Sequence, residues 1–71
     1  MNTKILERIG KKIKSIRKNS GLTQEKLAEK INVHPTYIGK IESGKNNPSI
    51  LLLYKLSKAL KIKLSDLFDL D

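Results

Sequence analysis

The chain has 71 residues and a net charge of +8, from 15 Lys and Arg against 7 Asp and Glu, with one His and no Cys. A chain this short holds one compact domain and buries only about 60–65% of its unfolded surface, so a metal, disulfides or a partner subunit is the natural supplement to its core. The missing cysteines and the lone His34 exclude disulfides and a zinc site, and no apolar run nears the ~20 residues of a membrane span. With no signal-peptide stretch at the N-terminus either, the expectation is a soluble cytoplasmic protein without cofactor that associates with a second copy of itself.

The apolar spacing predicts five helices and no strand. The first runs from about Thr3 to Asn19, where Ile5, Leu6, Ile9, Ile13 and Ile16 recur at intervals of three and four and form one apolar face. Gly21 is placed to cap its end. The second opens on Thr23 as N-cap, with Leu22 and Leu27 spaced for a hydrophobic staple. Glu25 lies in its first turn, where a negative charge suits the helix dipole. Asn32 follows at a turn that needs the left-handed backbone Asn tolerates. The third helix starts at Pro35, which has no N–H to lose there, and runs to about Ser43 before Gly44 stops it. A polar loop, Lys45 to Pro48, leads to a fourth helix over about Pro48 to Leu60 and a short fifth over about Ser65 to Leu70.

Residues Thr23 to Lys45 carry the strongest pattern. Leu27, Ile31, Val33, Ile38 and Ile41 are apolar where two crossed helices share a core, and Ala28 is small where the second helix must approach closely. This is a helix-turn-helix, and it leaves the intervening polar side chains for a partner. Charge narrows the partner. Residues 1–20 carry seven Lys/Arg against one acid, whereas 21–48 and 49–71 each carry four against three. Such a surplus attracts polyanions. Alone it reads as a solvated lysine face; beside a helix-turn-helix it points to nucleic acid. An anionic membrane fits less well, because the first helix lacks aromatic anchors.

Three blocks carry a family resemblance: Gly21 to Ala28 (GLTQEKLA), Tyr37 to Ser49 (YIGKIESGKNNPS) and Lys58 to Phe68 (KALKIKLSDLF). In this order and at these separations they resemble the Cro and phage-repressor class of helix-turn-helix regulators, from Ile9 to Phe68. His34 to Ile38 also resembles the HxTYI element of restriction-modification controller proteins. The resemblance implies an all-α, five-helix lambda-repressor-like DNA-binding domain over residues 1–71. Its helix-turn-helix would occupy about 23–43 and its dimerisation region about 49–71. The implied function is transcriptional regulation by a homodimer on a pseudo-palindromic double-stranded DNA operator, with residues 35–43 in the major groove.

The class uses a glutamine at the position of Gln24 to hydrogen-bond a phosphate, at a helix start that suits anions; the alternative is an exposed helix former. His34, Pro35, Thr36 and Lys40 match the base-facing positions. Thr36 can meet a thymine methyl or a base edge, and Lys40 a guanine or a phosphate. His34 reads equally as an N-cap, Pro35 offers at most an apolar contact, and Tyr37 can pack its ring while its hydroxyl reaches a phosphate. Lys45 and Asn46 are further phosphate contacts in the loop. Gly39 costs roughly 1 kcal/mol against alanine within a helix, and reads either as drift at an exposed site or as close approach to the DNA backbone or to a methyl group. Arg17 and Glu42 match an ion pair of the class that ties the third helix to the first, expected to fix geometry more than to add stability.

The fourth helix departs from the class. Ile50, Leu53, Leu56, Leu60 and Tyr54 suffice for a core face, so Leu51 and Leu52 are surplus; with Leu64, Phe68 and Leu70 they read as a homodimer interface. Lys61 stands where the class has glycine. No Ser/His/Asp set, metal cluster or phosphate loop is present in the sequence, so neither an enzyme nor a small-molecule ligand is expected. Two readings compete. An antitoxin or other protein-binding module would place apolar or acidic residues where Thr36, Lys40 and Lys45 stand. A charge-driven architectural DNA binder would enrich no motif.

Overall fold

The computed structural model describes residues 4–70. Four α-helices, α1 (Lys4–Asn19), α2 (Gln24–Ile31), α3 (Pro35–Glu42) and α4 (Ile50–Ala59), precede a 3-10 helix at Leu64–Phe68, and the described residues contain no strand. The all-α architecture expected from the sequence is the one observed. The fifth helix is the exception, being a tight 3-10 segment that ends before Leu70. Asp66 holds that segment, its carboxylate accepting from the Lys63 N–H at 3.0 Å while its own N–H donates to the Lys63 carbonyl at 2.9 Å. The expected start of the first helix at Thr3 lies outside the described residues. No described helix is long and apolar enough to cross a membrane.

One core joins every element. Ile9 and Ile13 of α1, Leu27, Ala28 and Ile31 of α2, Ile38 and Ile41 of α3, Leu53 and Leu56 of α4, then Leu60 and Leu67, are all buried in it. The helix-turn-helix anchors therefore lie where their spacing put them, with Val33 packed at the rim. Thr23 caps α2 by accepting from the Lys26 N–H at 3.0 Å. Asn32 closes it at φ 59° and ψ 50°, its N–H turned back onto the Ala28 and Glu29 carbonyls. At the far end of the chain, the Arg8 guanidinium donates to the Leu70 carbonyl and ties the C-terminal segment to α1.

α4 corrects the sequence reading in two ways. It starts at Ile50 rather than Pro48, because the Ser49 hydroxyl accepts from the Leu52 N–H at 3.1 Å and so fixes Ser49 as the cap. Its inward stripe is Leu53, Leu56 and Leu60, but Ile50 and Tyr54, expected on the core face, are 63% and 47% exposed. Leu52, expected to be surplus, packs against the core together with Ala59 on the opposite flank of the stripe. Leu64 and Leu70 likewise lie partly buried against their own core. Of the five residues assigned to an interface, only Leu51 and Phe68 stand largely in the open.

Lys61 does the work of a glycine. Its φ of 60° lies in the left-handed region, where the Lys61 N–H reaches the Lys58 carbonyl at 3.1 Å and the Ile62 N–H reaches the Ser57 carbonyl at 3.0 Å. This is a Schellman-type helix end, and a side chain with a Cβ occupies it at a cost. Lys61→Gly is therefore expected to stabilise the fold by about 0.5–1 kcal/mol, raising the thermal midpoint by several degrees. An unchanged or lower midpoint in a calorimetric scan contradicts that reading of the turn.

Candidate nucleic-acid interface

Three segments meet at one guanidinium. Arg17, buried near the end of α1, donates from Nε to Glu42 Oε2 at 2.6 Å and from Nη2 to Glu42 Oε1 at 3.1 Å. Its Nη1 donates to the Leu22 carbonyl at 2.8 Å, just before α2 begins. Glu42 is the last residue of α3, so this fork sets where α3 lies against α1 and the entry to α2. Glu42 Oε1 accepts a further hydrogen bond from Gln24 Nε2 at 3.0 Å. The network is closed: no buried side-chain nitrogen or oxygen among the described residues lacks a partner. Satisfaction matters because an ion pair at this depth is strongly destabilising when only one member is removed.

Gly10 is the positioning residue that sequence reasoning missed. A Cβ there would lie 2.6 Å from the Glu42 carbonyl oxygen, and closer still to that of Ile41. Both are backbone atoms, so α1 and α3 approach at a distance that only glycine permits. The signal was available: a glycine inside the apolar face of a helix is costly, the same argument that singled out Gly39. Gly44 repeats the device at φ +78°, where a Cβ would come within 2.9 Å of the Glu7 backbone. α1 thus clamps both the last turn of α3 and the loop that leaves it.

The outward side of α3 carries the remaining candidates. With Ile38, Ile41 and Glu42 turned inward, Thr36 and Lys40 are exposed and Gly39 lies half-covered beside them. His34 proves to be the N-cap, its Nδ1 accepting from the Thr36 N–H at 3.1 Å, and the residue is otherwise exposed. Pro35 is the first helical residue, as its chemistry suggested. The Tyr37 ring packs against the core. The Lys45 N–H closes α3 on the Lys40 carbonyl at 2.9 Å with its side chain exposed, and Asn46 beside it is half-buried. Gln24 is no loose helix former: its amide is anchored on Glu42 with one N–H hydrogen still available. A Cβ on Gly39 would stand 3.7 Å from both polar atoms of that amide, so Gln24 and Gly39 are neighbours.

Positive charge is not confined to this surface. Lys30, Lys55, Lys58 and Lys61 line a groove of about 550 Å³ at the C-terminal ends of α2 and α4, with Lys58 Nζ 5.7 Å from the Tyr54 ring centre. Cations at helix C-termini complement the helix dipole. What distinguishes the α3 surface is therefore its mixture of hydroxyl, imidazole, ammonium and amide groups on a braced helix.

Residues 13–67 match the helix-turn-helix family model. This chain belongs to the helix-turn-helix family. It is similar to the control protein C.MunI of Mycoplasma sp, 45% identical over 62 residues that cover 86% of this chain and 84% of that protein. Among solved structures, the restriction-modification controller protein C.AhdI from Aeromonas hydrophila superposes with a TM-score of 0.87 at 35% identity, covering 89% of this chain and 96% of that one. The controller protein C.Esp1396I, as a tetramer in complex with its natural 35 base-pair operator, gives a TM-score of 0.82 at 37% identity, with 92% and 86% covered. Both resemblances drawn from the sequence, to the repressor class and to its controller subgroup, are thereby borne out.

Three variants test how this helix-turn-helix is braced. Gly10→Ala is expected to cost roughly 2–3 kcal/mol in urea unfolding, because backbone rather than a flexible side chain must move. Arg17→Met should cost about 3–5 kcal/mol by stranding the Glu42 carboxylate, and the double variant Arg17→Met, Glu42→Met should recover most of that loss. Equal destabilisation in the single and double variants would show that the buried charge is not the cause.

Proposed function

We propose that this chain is a sequence-specific transcriptional regulator of the controller type, binding double-stranded DNA as a homodimer on a pseudo-palindromic operator. The observation that carries the reading is the Arg17–Glu42–Gln24 network, which holds α3 rigidly with Thr36 and Lys40 turned outward. A rigid helix with polar outward side chains is what base readout in a major groove requires. Thr36, Lys40 and His34 face base edges, with Pro35 an apolar neighbour. Gln24 gives its second amide hydrogen to a phosphate, joined by Lys45, Asn46 and the Tyr37 hydroxyl. The operator-bound tetramer of C.Esp1396I supports this reading. A protein-binding module on the same fold is the weaker alternative, since α3 presents neither an apolar nor an acidic outward face.

The domain spans residues 1–71, with its dimer contact built from the C-terminal third and the first turn of α1. Leu51 and Phe68 remain at the centre of the interface, now joined by Ile5 and Ile50, all largely exposed. Ile5, Ile50 and Phe68 border an apolar groove of about 240 Å³ floored by Ile9, Ile41 and Leu53. Leu52, Leu64 and Leu70 drop out of the interface, being packed against their own core. Each exposed side chain buried by a second copy contributes about 1.5–3 kcal/mol. Two protomers would place their α3 helices in successive major grooves about 34 Å apart.

Selection from random duplex DNA is expected to enrich a two-fold symmetric motif, and failure to enrich any motif leaves only the architectural binder. With about six phosphates neutralised, the logarithm of affinity should fall with that of salt at a slope of roughly −5. The double variant Leu51→Glu, Phe68→Glu should sediment as a monomer and bind the selected site weakly while keeping its helical spectrum. A dimer that survives both charges rules out this interface.

A further inference from the structure

We infer that Gly39 forms a notch on the outward surface of α3 that receives the 5-methyl group of a thymine, making thymine a required base in each half-site. This rests on the DNA-reading function proposed above. Glycine in a helix interior is normally retained because a Cβ would collide with something in the protein, as at Gly10. At Gly39 the protein offers no such reason. A Cβ there meets only the Gln24 amide, at 3.7 Å, an ordinary van der Waals distance, and the backbone is ordinary helix. The group that needs the space therefore lies outside the chain.

The chemistry of the notch identifies that group. Its floor is helix backbone whose polar atoms are already engaged: the Gly39 carbonyl accepts from the Ser43 N–H at 3.0 Å, and the Gly39 N–H is spent within α3. The floor itself therefore offers no donor or acceptor to a base edge, and the remaining N–H of the Gln24 amide at its wall is the one given to a phosphate in the function proposed above. What is left is a shallow C–H surface, with Thr36 one turn earlier on the same side of the helix and the anchored Gln24 amide as its wall. The apolar group that a duplex presents in the major groove is the thymine methyl. Gln24 keeps the notch open, because its bond to Glu42 stops the amide from folding over Gly39.

The test compares wild type with Gly39→Ala on the motif recovered by selection, with each thymine replaced in turn by uracil, which removes only the methyl. In wild type, one thymine per half-site should be sensitive, at about four-fold in affinity for each methyl removed. Gly39→Ala should melt at a higher temperature than wild type, bind the thymine site roughly ten-fold more weakly, and lose the uracil sensitivity at that thymine. Equal affinity of the two proteins, or the same uracil sensitivity in both, overturns the inference and leaves the regulator reading intact. A Gly39→Ala protein that fails to fold also overturns it, since the glycine would then serve the protein itself. Selection that enriches no motif defeats the regulator reading first, and this inference with it.

Discussion

The position of α3 depends on one buried guanidinium. Arg17 spends its Nε and Nη2 on Glu42 and its Nη1 on the Leu22 carbonyl, so a single planar group sets the relative placement of α1, α2 and α3. A lysine could supply the charge but not the fork, because an ammonium has no fixed directions in which to hold three acceptors. Burial makes the arrangement all-or-none: either partner alone leaves a charge in the core that water cannot reach.

Around that fork the backbone comes unusually close. Gly10 lets α1 touch the carbonyls of Ile41 and Glu42, and Gly44 lets the next loop run against Glu7. Apolar packing alone would allow α3 to slide by a fraction of an ångström. The polar fork and the glycine contact remove that freedom. Gln24 then carries the same constraint to the surface, since the amide that faces outward is the one anchored on Glu42. Gln24 and the α3 surface that carries Thr36 are thereby held in fixed relation.

The helix-turn-helix was legible from Leu27, Ile31, Ile38 and Ile41 because each lies on a flank where apolar and polar residues alternate cleanly. Thr23, Asn32 and Pro35 marked its boundaries through local backbone chemistry, and the structure has all three in those roles. α4 was misread for the opposite reason. Ile50, Leu51, Leu52, Leu53 and Tyr54 are apolar in succession, so periodicity names no inward side. The Ser49 cap and the contacts of Leu52 and Ala59 choose one, leaving Ile50 and Tyr54 outside. On α3, Thr36 and Lys40 are exposed where their positions led us to expect outward side chains. Gly10 was passed over, because the need for a bare backbone arises only when a second helix is brought against it.

By itself, the sequence determined what is local: five helical segments, their caps and turns, the apolar anchors of the helix-turn-helix, and the pairing of Arg17 with Glu42 once the family pattern was recognised. These follow from backbone preferences and from side-chain spacing along one helix, which act over a few residues. Tertiary structure alone decided which leucines of α4 face water, that Gln24 is tied to Glu42, and that Gly10 is demanded by the fold while Gly39 is not. Each of these depends on the distance between atoms far apart in the chain, and that distance exists only after the helices have packed.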